Sequence, residues 1–293
     1  MNQVKRAYLE LHLAVFLFGF TAILGDLISL PASLLVWWRV LITCISFFFF
    51  VPIIKNVRAI PNKLILIYAG IGILVAVHWI TFFGAIKYSN ASVCLVCMAT
   101  ASFFTAMLEP MIMKTKIQRY QILLGFMIIP GMALVVTNLD PGMMMGVVLG
   151  LTSAFLAALF SSINKKYVND ADPIDITFVE LGSALLFITI FLPFILAEGV
   201  SFFPQGLDWL YLLILALLCT TLAYVLSLRA LKHLTAFASN LTVNLEPIYG
   251  IVLAAILLGD SEELTFGFYM GCAIILLAVF SYPYLKRKFE ITE

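Results

Sequence analysis

Charged side chains are scarce in this chain. Of its 293 residues 11% are charged and 63% are hydrophobic, and the mean hydropathy is +1.10. A soluble domain carries about 25% charged residues. Because ionised side chains are costly in hydrocarbon, such a deficit is typical of a chain embedded in lipid and excludes an ordinary soluble protein. The net charge of +1 gives no reason to expect a nucleic-acid partner.

Histidine and catalytic motifs are also scarce. The chain has three histidines and no H-E-x-x-H, G-x-S-x-G or G-x-x-x-x-G-K-[ST] pattern. A membrane-embedded enzyme needs clustered catalytic groups, so we predict no enzymatic activity, no ATP hydrolysis through a phosphate loop and no cofactor. Cys94 and Cys97 have C-x-x-C spacing without a second pair. We predict that they are small packing residues and that the chain holds no metal.

Long apolar stretches are what the chain has in abundance. A helix of ~20 apolar residues crosses the ~30 Å hydrocarbon core, since each residue rises ~1.5 Å. The sequence therefore predicts an all-α integral membrane protein with ten transmembrane helices. These are expected at 7–25, 31–53, 64–86, 90–113, 118–138, 143–164, 175–197, 208–228, 235–258 and 265–285.

Basic residues alternate from loop to loop. Of the 17 lysines and arginines, all except Lys87 and Arg39 lie at the two ends of the chain or in the even-numbered connections. Basic loops stay cytoplasmic during insertion. We therefore predict a multi-pass protein of the plasma (inner) membrane with both termini in the cytoplasm, which agrees with an even number of spans.

An internal repeat is visible in the sequence. A shift of 145 residues places 85–87 on 230–232, and a slightly smaller shift places Arg39 opposite Glu180. Each half then holds five spans, and an odd number makes the second half enter the bilayer from the opposite side. We predict two inverted five-helix repeats, residues 1–139 and 140–293.

Polar residues inside the predicted spans are the candidates for function, because each needs a partner in lipid. The candidate substrate-binding residues are Trp79, His78, Tyr224, Asn240, Asn244, Glu246 and Tyr249. The alternative is structural: the rings suit a membrane-interface belt, the asparagines suit interhelical hydrogen bonds, and the carboxyl group suits packing against a neighbouring helix.

Other buried polar groups point to structure or coupling. Pro247 cannot donate a helical hydrogen bond, so it frees a carbonyl beside Glu246. Arg39 must find an acceptor or water, and pairing with Glu180 is one option, although Glu180 also lies near enough to its helix end to reach cytosolic water. Glu109 is expected to snorkel to the cytosol.

Two runs of sequence carry a family resemblance. Residues 78–92 (HWITFFGAIKYSNAS), together with 230–236 (ALKHLTA), 244–250 (NLEPIYG) and 258–260 (LGD), resemble the EamA family of the drug/metabolite transporter superfamily. The resemblance extends over essentially the whole chain. It implies a carrier of small metabolites, often an exporter, whose central cavity is lined by helices three, four, eight and nine. Ser102 stands where the family commonly has a proline.

The leading hypothesis is a secondary transporter that moves a small organic metabolite, such as an amino acid, by alternating access. Proton coupling, the direction of transport and the oligomeric state stay open. A channel and a multidrug or cation efflux protein are the alternatives, and a membrane-embedded enzyme has least support.

The topology gives the first testable prediction. Tags or single cysteines placed at the two ends of the chain should report the same, cytoplasmic compartment in accessibility labelling of intact cells and of inverted vesicles. Ends found in different compartments would contradict both the even number of spans and the inverted repeat.

Overall fold

The chain folds into a bundle of long helices. The computed structural model describes residues 2–50, 52–135, 141–197, 201–246, 248–250 and 266–290, and within these ranges there is no β-strand. A 3-10 turn, Pro141–Met143, leads into α7, and a π-helical turn, Leu217–Leu222, joins α9 to α10. The helices are α1 (Gln3–Leu27), α2 (Ala32–Phe50), α3 (Ile53–Arg58), α4 (Asn62–Tyr88), α5 (Ala91–Met113), α6 (Arg119–Val135), α7 (Met144–Tyr167), α8 (Pro173–Leu196), α9 (Asp208–Ala216), α10 (Ala223–Leu231), α11 (Ala236–Val243) and α12 (Phe266–Glu290).

Eight helical segments in the described ranges are long and apolar enough to cross a bilayer. They are Gln3–Leu27, Ala32–Phe49, Asn62–Tyr88, Val93–Met113, Met144–Tyr167, Pro173–Leu196, Asp208–Leu231 and Tyr269–Phe289. The predicted span 118–138 corresponds to α6, which is described over 17 residues. Of the predicted span 235–258, residue 247 and residues 251–258 lie outside the described residues. The protein is therefore a multi-pass membrane protein.

Short polar side chains set where several helices begin. The side chains of Asn2, Asn90, Asp172 and Thr235 accept hydrogen bonds from backbone N–H groups in the first turns of α1, α5, α8 and α11. Such a cap satisfies a donor that the helix itself cannot, and is worth ~1 kcal/mol. Because the connecting loops are short, these caps fix the register in which one helix follows another.

The helices pack in neighbouring pairs around α4 and α5. Helix α4 packs on α7 and α8, while α5 packs on α6, α7 and α11. Helix α1 contacts α10, α2 contacts α8, and α6 pairs with α12. Large apolar side chains cover the outer surface, for example Phe49, Leu66, Phe194 and Phe280, each more than 70% exposed. That surface suits lipid, which is also as apolar as these side chains.

Helices α4 and α8 cross with backbone contact at Gly72. A Cβ atom built on Gly72 would overlap the carbonyl oxygen of Glu180 and the hydroxyl of Ser183. A residue without a side chain is therefore required at this crossing, which holds Glu180 in the interior of the bundle.

The crossing predicts a stability difference between two glycines of one helix. Gly72→Ala should lower the free energy of unfolding by ~1–3 kcal/mol, because the added methyl group forces apart two backbones. Gly70→Ala is the matched control: nothing lies within 4 Å of its Cβ position, so stability should stay equal or rise slightly. Thermal unfolding of the detergent-solubilised proteins measures both, and equal behaviour of the two variants would contradict the contact.

Candidate substrate site

A cavity of about 140 Å³ lies inside the bundle. Side chains from α1, α2, α4, α5, α7, α10 and α11 line it, together with Glu246 just beyond α11. A buried apolar cavity of about 150 Å³ holds a molecule of benzene's size, so this one suits a small organic ligand. Most of its wall is apolar, including Leu11, Phe18, Phe82, Met98, Phe160 and Leu228.

Most of the sequence-predicted residues meet at this cavity. Trp79 and His78 of α4, Tyr224 of α10, Asn240 of α11 and Glu246 all line it. The rings of Trp79 and Tyr224 contact each other edge to face at 6.1 Å. Their common burial, at 7% and 6% exposure, places them in the interior of the protein, away from a membrane-interface belt.

Two of the predicted residues do not line the cavity. Asn244 is buried and donates to the hydroxyl of Ser102 at 3.1 Å, so Ser102 provides a polar contact where the family commonly has a proline. The ring of Tyr249 packs against Phe16 at 5.9 Å. Pro247 lies outside the described residues.

Arg39 reaches the cavity from α2 and is 1% exposed. Its Nε donates to the hydroxyl of Thr220, and its Nη2 donates to the carbonyl of Cys219 at 3.3 Å. Both acceptors belong to the π-helical turn Leu217–Leu222. The guanidinium lies 4.0 Å from the centroid of the Trp79 ring, a cation–π contact. Its Nη1 has no partner among the described residues.

Glu180 does not pair with Arg39. It is fully buried and accepts from the hydroxyl of Tyr224 at 2.5 Å and from the amide of Asn164 at 3.4 Å. The expectation that it reaches cytosolic water is wrong, because the tight crossing at Gly72 holds it under α4. Glu180 instead orients the cavity-lining ring of Tyr224.

His78 is held by α7. Its Nδ1 lies 2.9 Å from the carbonyl of Ser153 and 2.8 Å from the hydroxyl of Ser153, and that hydroxyl also approaches the His78 carbonyl at 3.0 Å. Because a carbonyl oxygen can only accept, the Nδ1–H group of His78 donates to Ser153, while the Ser153 hydroxyl donates to the carbonyl of His78. In the neutral imidazole the other nitrogen is then an acceptor.

Asn240 links three helices at the edge of the cavity. Its amide nitrogen on α11 donates to the hydroxyl of Thr105 on α5 at 2.6 Å and to that of Ser161 on α7 at 2.8 Å. The interhelical bonding considered for both asparagines is therefore present, and at Asn240 it coexists with a place in the cavity wall.

Glu246 faces the cavity beside a break in the helix. Asn244 and Leu245 bond backward to Leu241 and Thr242 in a tightened turn before Glu246. The carboxyl group is 7% exposed and makes no hydrogen bond to a described residue. A buried carboxyl group beside interrupted helical bonding is typical of substrate and ion sites in transporters.

Glu109 behaves differently from its prediction. It is 8% exposed and accepts from the backbone N–H groups of Ala236 and Phe237, both at 2.8 Å. The side chain therefore does not snorkel to the cytosol. It bonds to the positive N-terminal end of α11, where backbone donors attract a carboxylate.

Comparisons with known proteins decide the family. The family model described as the EamA-like transporter family matches residues 5–137 and 144–282. The chain belongs to the EamA-like transporter family. It is 29% identical over 291 residues to a probable amino-acid metabolite efflux pump of Salmonella typhimurium, covering 94% of this chain and 93% of that one.

Two further likenesses are consistent with membership. This EamA-like transporter is 32% identical over 115 residues to the uncharacterized transporter YetK of Bacillus subtilis, a match that covers 38% of this chain and only 33% of that protein. A solved crystal structure superposes with a TM-score of 0.76 at 15% identity, over 97% of this chain and 98% of the other. At that identity the likeness shows the fold alone.

Several cavity residues of this transporter escaped the sequence analysis. Asn164 and Ser161 of α7 and Ser239 of α11 line the cavity, as does the hydroxyl-bearing Thr21 of α1. Asn164 Oδ1, Thr21 Oγ1 and Ser239 Oγ have no hydrogen-bond partner among the described residues. The signal that marks these residues in the sequence is a polar side chain within an apolar run.

The bond between Tyr224 and Glu180 yields a prediction for this transporter. Tyr224→Phe should cost ~1–3 kcal/mol of unfolding free energy, because it leaves a buried carboxyl group with only its longer bond to Asn164. Tyr211→Phe is the control, since the Tyr211 hydroxyl bonds no described residue. Thermal unfolding in detergent compares them. A Tyr224→Phe variant as stable as Tyr211→Phe would refute the role of this bond.

Proposed function

We propose that this EamA-like transporter is a secondary carrier that exports a small organic metabolite such as an amino acid. Transport runs by alternating access through the central cavity between two inverted repeats, residues 1–139 and 140–293. The observation that carries the proposal is a cavity inside the bundle lined by buried polar and charged side chains from both halves of the chain.

The spacing of the cavity residues supports the repeat. A shift of 145 residues relates pairs of residues that line the same cavity. The pairs are Trp79 with Tyr224, Phe82 with Ser227, Met98 with Val243, and Ala101 with Glu246. Inverted repeats related by a two-fold axis through the cavity would place such pairs of residues around one space.

Equivalent contacts outside the cavity support the same shift. The helix caps Asn90 and Thr235 are 145 residues apart. Lys87 Nζ donates to the backbone carbonyl of Asp26, and Lys232 Nζ donates to that of Ala171. The two donors are 145 residues apart, and so are the two acceptors. The charge pattern of the loops puts Lys87 outside and Lys232 in the cytoplasm, as inverted repeats require.

The direction and the substrate rest on the relatives and on the cavity. The Salmonella relative is named as a probable amino-acid metabolite efflux pump, which favours export of that class of compound. The cavity combines apolar walls with Arg39, His78, Asn240 and Glu246, and such a mixture suits a small polar metabolite with an apolar part. Placement in the inner membrane with both ends cytoplasmic completes the proposal.

A counterflow screen tests the function. Proteoliposomes preloaded with unlabelled compound should accumulate the same labelled compound transiently, and the panel should span amino acids and cationic drugs at two pH values. Saturation with counterflow supports a carrier, while flux without either indicates a channel. Accumulation of cationic drugs alone would favour a multidrug efflux protein, and a dependence on the pH gradient would reveal proton coupling.

The unpartnered carboxyl group gives a mutational prediction. Glu246→Gln should reduce counterflow at least ~10-fold, because a charged contact worth ~1.5–3 kcal/mol is lost, while expression and thermal stability stay near wild type. Glu10→Gln removes a partly buried carboxyl group that is paired with Arg6 and does not line the cavity, and it serves as the control. Wild-type flux in Glu246→Gln would assign Glu246 to packing.

A further inference from the structure

An arginine and a glutamate line the cavity without forming a direct ion pair. Arg39 and Glu246 are 1% and 7% exposed, and both contribute to its wall. Within the described part of the chain, neither forms an ion pair within 4.0 Å. The described residues leave Nη1 of Arg39 without a hydrogen bond, and they offer none to the carboxyl group of Glu246.

Fixed neighbours hold the guanidinium of Arg39 in place. The π-helical turn and the Trp79 ring hold the guanidinium, which fixes the direction of its remaining N–H donors. Glu246 follows the turn at Asn244 and Leu245 and contributes to the same cavity wall. An unpaired ion in a low-dielectric interior is unfavourable, so a ligand that bears both complementary charges stabilises both groups together.

The remaining wall describes the rest of such a ligand. Phe18, Phe82, Met98, Phe160 and Leu228 surround the space with apolar surface. The cavity, at about 140 Å³, is close to the size that accommodates benzene. A ligand with a compact apolar side chain fits this environment. A ligand with a third charged group would find no further oppositely charged side chain, because Arg39 and Glu246 are already used.

We propose that the cavity recognises a zwitterion through Arg39 and Glu246, with the guanidinium binding the ligand's carboxylate and the Glu246 carboxylate binding its ammonium group. The inference rests on the proposed function and deepens it, because it assigns the two specificity-determining residues and selects apolar α-amino acids over simple amines and simple acids. In its neutral form, His78 offers a second ring nitrogen that can accept a hydrogen bond from the ammonium group.

Two matched ligand series test whether the cavity recognises both charges of the ligand. One consists of L-leucine, isoamylamine and isocaproate, and the other of L-phenylalanine, phenethylamine and hydrocinnamate, so each amino acid is compared with its amine and its acid. Dissociation constants are measured by calorimetric titration of the purified full-length protein in detergent. In at least one series we expect the amine and the acid to bind about 10- to 100-fold more weakly than the amino acid, the factor for one lost charged hydrogen bond.

The variants assign each charge to its residue. Glu246→Gln should weaken the amino acid and the amine but leave the acid unchanged, whereas Arg39→Gln should weaken the amino acid and the acid but leave the amine unchanged. Arg39→Lys keeps the charge and should recover part of the acid's binding. Glu109→Gln removes a buried carboxyl group that does not line the cavity, so the ratios among the three ligands should stay those of the wild type.

The outcomes separate this inference from the proposed function. The zwitterion inference is overturned if the wild type binds the amine or the acid as tightly as the amino acid in both series, or if no amino acid of the panel binds. It is also overturned if both variants weaken the binding of all three ligands by the same factor. The wild-type ratios decide the matter even when a variant fails to fold. Amino-acid binding with the expected ratios but no counterflow would refute the carrier alone, and equal counterflow of amine and amino acid would refute the zwitterion readout alone.

Discussion

The cost of a guanidinium ion in hydrocarbon is the constraint on which the centre of this protein depends. Burying Arg39 without partners would be unfavourable by several kcal/mol. The chain meets this cost with a local change of helix type: the turn Leu217–Leu222 winds as a π-helix and presents the Thr220 hydroxyl and the Cys219 carbonyl to the guanidinium. Trp79 covers the ion from a third helix. One charge thereby joins α2, α4 and the α9–α10 segment.

A second polar network is built on close backbone approach. Gly72 lets α4 and α8 touch, which buries Glu180 beside Tyr224 and Asn164. The two networks meet at the cavity, because Trp79 belongs to the first, Tyr224 to the second, and their rings contact each other. Packing and hydrogen bonding therefore position the cavity wall from behind, which is how a preformed site keeps its geometry before a ligand arrives.

The sequence predicts well those features that depend on hydropathy averaged over a long stretch of residues. Hydropathy identifies the long apolar helices, and burial of Arg39 predicts that it needs acceptors. The sequence does not predict which groups those acceptors are, because Thr220 and Thr221 in an apolar run are compatible with an ordinary α-helix. The contact of Glu109 with the start of α11 also escapes prediction, because a carboxyl group near a helix end reads as solvent-facing until its tertiary neighbour is known. Asn244 and Tyr249 are predicted from the sequence to face the substrate but do not line the cavity. The tightened turn before Glu246 departs from the regular helix on which that prediction depends.

The two walls of the cavity are alike in position and unlike in charge. Under the 145-residue shift Glu246 corresponds to Ala101, and His78 corresponds to Ala223. A faithful copy would place two carboxylates across a cavity of about 140 Å³, where like charges in a low-dielectric interior repel strongly. The proposed repeat would therefore account for the positions of the lining residues but not for their chemistry. In the proposed repeat, the differences between the halves let one asymmetric ligand contact a guanidinium group from the first half and a carboxyl group from the second.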